Sequence, residues 1–281
     1  MRFRLDGFDT DAFIAATLAE DLGEAGDITS AAVIPAEARF AGVMDTREAI
    51  VVAGLALAEG FFHALDPQAV ITPLAADGDH VPAGTDLMRI EGSARAMLTA
   101  ERSALNTVQH LSGIATLTRQ YVDAIAVTGA TLLDTRKTIP GLRRLEKYAT
   151  RVGGAQNHRM GLWDAAMIKD NHVAVAGGIA AAVQRAVGAG IERIIVEVDS
   201  LDQIAPALDG GATHLLLDNM APDMLRQAVA MIGGRVPTEA SGGVRLDTIR
   251  AIAETGVTYI SVGRLTQSAP AADIGLDFAL L

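Results

Sequence analysis

The chain has no cysteine among its 281 residues, which excludes disulfides, thiolate nucleophiles, iron–sulfur clusters and cysteine-ligated zinc together. It is also short of positive charge: 23 Lys plus Arg stand against 34 Asp plus Glu, a net charge of −11 with a pI near 4.9. A nucleic-acid surface needs the opposite balance, so no nucleic-acid partner is expected. Long apolar runs are missing as well. The most apolar stretch, "AIVVAGLALAEGFF", is interrupted by Glu59, and the start, "MRFRLDGFDTD", has no hydrophobic signal region. No membrane segment is expected, and a cytoplasmic location is. P-loop, G-x-G-x-x-G and H-E-x-x-H patterns are absent too. What is present is a chain that is 50% hydrophobic and long enough for one large α/β domain, with or without a smaller companion.

The texture changes along that length. "DTDAFIAATLAED" reads as a helix entered through Asp9 or Thr10, with "LGEAGDITS" as the loop after it. From about 30 to 95, short apolar runs such as "FAGVM" and "LMRIEG" alternate with Gly and Pro turns around one helical run near 54–65, predicting a small mixed α+β layer. Residues 96 to about 126 have helical periodicity, with Gly113 a candidate break between two helices. Beyond residue 130, "TLLD", "AMIK", "RIIVEV", "HLLLD", "VPTEA" and "YISVG" are short apolar strands, several separated by helical stretches such as "PDMLRQAVAMIGG". Continuously apolar strands with amphipathic crossovers predict a parallel sheet buried on both faces, a barrel or a doubly wound sheet.

The scarce cations are concentrated in one place. Between Asp134 and His172 stand Arg136, Lys137, Arg143, Arg144, Lys147, Arg151, Arg159 and Lys169, eight cations against four anions in an otherwise acidic chain. Such a local excess suits a small, multiply anionic ligand. Arg143, Arg144, Lys147 and Arg151 also read as solvated helix charges. Polar residues follow the strands in turn: Asp134, Arg136 and Lys137 after the first, then Lys169 and Asp170, Glu197 and Asp199, Asp218 and Asn219, Glu239 and Ser241, and Gly263 and Arg264. In a β/α barrel these carboxyl ends share one face, so the cations would line a pocket mouth opposite Glu197 and Asp218. Those carboxylates suit Mg²⁺, sugar hydroxyls or acid/base work, or plain ion pairs with the cations. "EASGGV" and "SVGRLTQSA" put two glycine loops after the last two strands, where backbone N–H groups bind phosphate, although "SGG" alone is also a tight turn. His158 reads either as a ligand contact or as a core histidine bonded to backbone.

In order along the chain, "EDLGEAGDITS", "ERSALN", "LSGIAT", "DTRKTIPGLR", "EKYA", "GG-x-x-NHR-x-GL-x-D", "IKDNH", "VEVDS", "LLLDNM", "EASGGV" and "ISVGRLT" resemble the quinolinate phosphoribosyltransferase family (nicotinate-nucleotide pyrophosphorylase, carboxylating; type II phosphoribosyltransferases). The resemblance implies a decarboxylating glycosyltransferase of NAD biosynthesis acting on quinolinate and phosphoribosyl pyrophosphate, with Mg²⁺. It implies an α/β fold: an irregular, roughly seven-stranded α/β barrel with a smaller N-terminal α/β sandwich domain. The boundaries expected are 1–110 for the sandwich, 111–268 for the barrel and 269–281 for a C-terminal return to the first domain. A homodimer with shared active sites is implied as well. Carried over by position, Arg102, Arg136, Lys137, His158, Arg159 and Lys169 match the residues that grip the substrate carboxylates and phosphates. Glu197 and Asp218 match those near the ribose and metal, and Ser241, Gly242, Gly243 and Gly263 the phosphate cradle. Lys137, Lys169, Glu197 and Asp218 are the expected catalytic set. Gln267 and Arg264 depart from the family, where histidine and alanine are common. Two other readings start from the same residues: a class I aldolase with Lys169 as Schiff-base lysine, and a molybdate-operon-type relative of the same family, which the intact "IKDNH" disfavours.

Overall fold

The structure, a computed structural model, describes residues 3–278. In chain order it has α1 (Thr10–Leu22), α2 (Ile28–Val33), β1 (Arg39–Thr46), β2 (Ile50–Val51), α3 (Leu55–Leu65), β3 (Val70–Pro73), β4 (His80–Val81), β5 (Thr85–Ser93) and α4 (Ala94–Ala124). There follow β6 (Thr131–Leu133), α5 (Arg143–Val152), β7 (Ala166–Ile168), α6 (Asp170–Ala176), α7 (Ile179–Gly188), β8 (Ile194–Val198), α8 (Ile204–Gly210), β9 (His214–Asp218), α9 (Pro222–Ile232), β10 (Thr238–Ser241), α10 (Ile249–Ala253), β11 (Tyr259–Ser261), α11 (Arg264–Gln267) and β12 (Ile274–Phe278). The chain divides into two compact units. One holds Met1–Leu117, Arg144–Gly153 and Ser268–Leu281, and the other Thr118–Arg143 and Gly154–Gln267. The first unit thus takes in residues 144–153, which the sequence boundaries assigned to the barrel, and the division falls within α4.

In the first unit an antiparallel sheet runs in the order β12-β1-β5-β3, with Met44 of β1 opposite both Leu276 and Met88. Its core is aliphatic and aromatic: Met44, Phe61, Phe62, Leu87, Met88, Ile90 and Met97 are all fully buried. Asp9 caps α1 by accepting from Ala12 N–H at 3.0 Å. Asp27 does the same for α2 from Ser30 N–H at 2.9 Å, so the "ITS" end of the expected loop is helical. Residues 279–281, the tip of the expected C-terminal return, lie outside the described residues. Of the expected solvated charges on α5, Lys147 is instead fully buried, as is Glu146 before it in sequence. Glu146 meets His110 Nε2 at 2.9 Å. Arg144 donates to the Asp6 carbonyl at 2.7 Å.

The second unit is a parallel sheet in the order β6-β11-β10-β9-β8-β7. Its strands are short and nearly continuously buried, as "IIVEV" of β8 shows, and amphipathic helices return the chain between them. Helix α9 illustrates the local signals: Pro222 enters at the first turn, Asp223 follows, and Gly233 closes it with φ 61°, a left-handed value that suits glycine. The roughly seven strands expected resolve into six, plus a one-residue parallel bridge in which Gln156 pairs beside β6 at Leu133. Gln156 N–H donates to the Leu132 carbonyl at 2.9 Å, so the segment stands in a strand's place without being one. No helix among the described residues is long and apolar enough to cross a membrane.

Helix α4 corrects another expectation, since it runs unbroken through Gly113. The glycine is there for a packing reason: a Cβ at 113 would stand 2.0 Å from the Pro270 carbonyl oxygen. Gly113→Ala should therefore cost about 1–3 kcal/mol through overpacking against backbone. Thermal unfolding checks this, and an unchanged Tm would remove the packing explanation.

Candidate active site

Side chains on a strand alternate between faces, and the register of neighbouring strands determines which of them form a layer. Glu197 of β8 is opposite Leu216 of β9, which is opposite Glu239 of β10. One layer higher, Asp218 is opposite Ser241. Counting by twos along each strand joins Met167 with Lys169, Leu216 with Asp218, Glu239 with Ser241, and Ser261 with Gly263. All of these line one cleft of about 800 Å³. Met167 packs against the buried Ala165, Ile195 and Leu216, giving the cleft an apolar floor under a polar rim.

Six arginine and lysine side chains line the cleft, against three carboxylates. Four of the cations, Arg136, Lys137, Arg159 and Lys169, come from the group of eight singled out in the sequence. Arg143 instead donates to Thr138 Oγ1 at 3.0 Å and to the Met160 carbonyl at 3.3 Å. Arg136 Nε is buried without a hydrogen-bond partner among the described residues, a donor left for an anion. Arg159 is 8% exposed and donates to the Ala165 carbonyl at 3.0 Å. Burial, and then repulsion from Arg136, lower its pKa from the ordinary arginine value. Lys137 is held by its backbone, whose carbonyl accepts from Thr266 Oγ1 at 2.7 Å. Its stem lies over Gly263, where a Cβ would stand 2.7 Å from Lys137 Cδ. Gly263 therefore makes room for the lysine as well as lining the cleft.

Lys169 stands at the start of α6, where its backbone N–H donates to His172 Nδ1 at 3.0 Å, so the "IKDNH" spacing fixes where the lysine leaves the strand. Its ammonium is ion-paired with Glu197. Asp218 is pushed above the ordinary aspartate value, first by burial and then by the Glu197 carboxylate, with Lys169, Asn219 and Lys137 pulling it back. Asn219 Nδ2 donates to Asp218 Oδ2 at 2.6 Å, and its own N–H donates to the Ser241 carbonyl at 2.8 Å. Asn219 takes φ 55°, which asparagine tolerates. Gly242, at φ 90°, lies so close that a Cβ there would meet Asn219 Oδ1 at 2.2 Å. Ser261 Oγ donates to Ser241 Oγ at 3.0 Å, tying the two glycine loops together.

His158 lines the cleft and is hydrogen-bonded on both sides. Its Nδ1 accepts from Arg159 N–H at 2.6 Å and its Nε2 meets Glu239 Oε2 at 3.2 Å. The backbone before it is pinned by the buried Asp134, which accepts from His158 N–H at 2.8 Å and from Asn157 Nδ2 at 2.6 Å. Glu239 is fully buried. Burial alone would raise its pKa, but the imidazoles of His158 and His214 outweigh that and hold it at about 2.

Eleven of the twelve expected site residues meet in this cleft. The exception is Arg102, which is exposed on α4 in the first unit and does not line it. Sequence reasoning left out Glu239, Asn219, Ser261 and Arg245 as site residues, although all four line the cleft. For Glu239 a signal was available: a charged residue two before Ser241 in a strand must face the same way. Arg264 and Gln267, the two departures, are both exposed at the cleft's edge.

Two family sequence patterns divide the chain between them: the quinolinate phosphoribosyl transferase N-terminal domain matches residues 27–112 and the C-terminal domain 114–277. The chain belongs to the quinolinate phosphoribosyl transferase family. The quinolinate phosphoribosyltransferase (decarboxylating) 1b of Nicotiana tabacum is 42% identical over 96% of this chain and 82% of its own length. A nicotinate-nucleotide pyrophosphorylase (carboxylating) of Mycobacterium leprae is 45% identical over 94% and 95%. The crystal structure of the nicotinate-nucleotide pyrophosphorylase of Ehrlichia chaffeensis superposes with a TM-score of 0.93 at 38% identity, covering 97% of this chain and all of that one. The junction between the two family domains, at residues 112 and 114, lies inside α4 and beside the tightly packed Gly113.

A quinolinate phosphoribosyl transferase built this way holds Asp218 at a cost to its own stability. With a folded pKa above the unfolded 3.8, the aspartate's contribution is most favourable below pH 3.8 and is lost as pH rises through the folded value. Asp218→Asn should therefore raise Tm at neutral pH in chelator-containing buffer, with the gain shrinking toward pH 3.8. Scanning calorimetry across pH tests the sign: a neutral-pH Tm below that of the unsubstituted chain contradicts it.

Proposed function

We propose that this chain is a quinolinate phosphoribosyltransferase, converting quinolinate and phosphoribosyl pyrophosphate to nicotinate mononucleotide, pyrophosphate and CO₂ in the de novo synthesis of NAD. Family membership and the identities above support the activity. The observation that carries the reading at the level of chemistry is the zoning of one cleft: guanidinium and ammonium groups at the β6 and β7 ends, paired carboxylates at β8 and β9, and glycine loops after β10 and β11.

Each zone suits one part of the reaction. Quinolinate is a dianion, and planar guanidinium forks such as Arg136 and Arg159 pair carboxylates in two-point fashion, with Lys137 and Lys169 as more mobile point charges. The 5′-phosphate of the donor is assigned to Ser241, Gly242, Gly243 and Gly263, whose open backbone admits close approach. The quinolinate ring nitrogen attacks the anomeric carbon as the bond to pyrophosphate breaks, and positive charge develops on the ribose. Glu197 and Asp218, the carboxylates at the β8 and β9 ends, are assigned to stabilise that charge. The carboxylate next to the now quaternary nitrogen then leaves as CO₂, its electrons remaining at the ring carbon, which takes up a proton. The ring's own positive nitrogen serves as the electron sink.

Magnesium belongs to this proposal. No group of three or more His, Asp or Glu side chains among the described residues forms a metal cluster. Two carboxylates are nonetheless what Mg²⁺ uses when substrate phosphates and water complete its shell, and the crowding of Asp218 against Glu197 is the kind a cation relieves. Glu197 and Asp218 would hold it, and when bound it would offset charge on the departing pyrophosphate. Action in the cytoplasm is part of the same proposal; the substrates' charge requires only that enzyme and substrates share one compartment. The aldolase reading loses support, because Lys169 Nζ is in contact with the Glu197 carboxylate, and the other cleft cations and both glycine loops would be surplus to a Schiff-base mechanism.

The reading is tested by incubating the protein with quinolinate, phosphoribosyl pyrophosphate and Mg²⁺ and following nicotinate mononucleotide and CO₂. Nicotinate lacks the second carboxylate. Losing one charge-assisted contact of about 1.5–3 kcal/mol should lower kcat/KM for nicotinate by roughly 10- to 100-fold, and comparable turnover would defeat the specificity assignment.

The proposal includes a homodimer in which Arg102 serves the partner's site. Its exposed position on α4, away from the cleft lining, supports this. Mixing inactive Arg102→Ala with inactive Lys137→Ala under subunit exchange should restore part of the activity through hybrids carrying one intact site. No recovery despite confirmed exchange would refute sharing.

A further inference from the structure

Of the three carboxylates that line the cleft, only Glu239 is fully buried, and the transfer chemistry leaves it without a task. Burying a carboxylate costs several kcal/mol unless partners offset it, so its surroundings are informative. Oε2 takes the His158 Nε2 contact at 3.2 Å and has His214 Nε2 3.1 Å away. Oε1 has no hydrogen-bond partner among the described residues. His214 lies two residues before Leu216 on β9, on the same face, and its ring stacks on Tyr259 of β11 with centroids 5.6 Å apart and planes at 22°. Glu239 thus joins the interior faces of β9 and β10 to the loop that carries His158 and Arg159.

His158 is constrained in two ways at once. Its Nδ1 faces the Arg159 N–H and its Nε2 faces Glu239 Oε2, an arrangement that suits a ring carrying its proton on Nε2. Asp134 holds the backbone of this segment through the His158 N–H and the Asn157 amide. The next residue, Arg159, lines the cleft and is assigned to a substrate carboxylate, so a turn of the His158 ring would disturb the Arg159 N–H that it accepts.

We propose that Glu239 is a positioning residue: it locks the His158 imidazole in the Nε2–H tautomer and one orientation, and thereby sets the diacid end of the cleft, with His214 steadying the carboxylate from the neighbouring strand. The kinetic half of this inference rests on the proposed reaction. A merely structural glutamate would lower stability and affect both substrates alike, whereas a positioning one acts on the end of the cleft where His158 stands.

Two measurements decide it. In chain labelled with ¹⁵N at histidine, without substrate, the His158 signal, assigned by its loss in His158→Gln, should show the Nε2–H tautomer. A proton on Nδ1 would overturn the proposal. In Glu239→Gln the tautomers should mix, and KM for quinolinate should rise about tenfold while KM for phosphoribosyl pyrophosphate stays within about twofold. Unchanged constants, or equal rises for both substrates, would equally overturn it. If Glu239→Gln does not fold, His214→Phe, which keeps a ring against Tyr259, should show the same selective rise at smaller size, and no selectivity there counts against the proposal. Should the unsubstituted chain fail to turn over quinolinate, the assigned reaction is wrong, and the His158 tautomer alone then decides the positioning claim.

Discussion

Parallel hydrogen bonding between β8, β9 and β10 is the constraint on which the cleft depends. Its register places Glu197, Leu216 and Glu239 in one layer and Asp218 and Ser241 in the next. A one-residue slip of any strand would turn its polar residues outward and its apolar ones in. The backbone ladder thus determines the charge arrangement, and no individual ion pair among the site residues has to hold it in place.

Charge is distributed in that frame by depth. Glu239 lies deepest, fully buried and held far below the ordinary glutamate range by two imidazoles. Asp218 and Glu197 stand at intermediate depth, where burial and mutual repulsion raise Asp218 and Lys169 partly compensates. The exposed Lys137 and Arg264 are at the rim. Exposed cations at the rim, with the buried Arg159 inside, give an anionic substrate an attractive entrance, and the carboxylates give a developing positive charge a negative setting.

Much of this was legible in the chain. The six parallel strands were readable as apolar runs, because a strand buried on both faces needs no alternation. Lys169, Glu197, Asp218 and Ser241 were readable as strand-end residues, because polar groups at the carboxyl end of an apolar strand have few other places to go. Other features were not legible. Gly113 looked like a helix break, since nothing local reveals that Pro270, 157 residues later, presses its carbonyl there. Lys147 looked like a surface charge, since a charged helical segment carries no local mark of burial. Glu239 was visible as a strand-end polar residue, but its two histidine partners come from separate segments.

By itself the sequence determined the alternation of strand and helix, the acidic charge balance, the absence of cysteine thiol chemistry and the identity of the strand-end groups. All of these follow from residue type and spacing along one segment. Only the tertiary structure decided which groups share a layer, which of the eight clustered cations face the cleft, and that His158 and His214 meet one buried carboxylate. Those outcomes depend on register and on contacts across more than 80 positions of chain, such as His158 to Glu239. Spacing along a single segment contains no term for them.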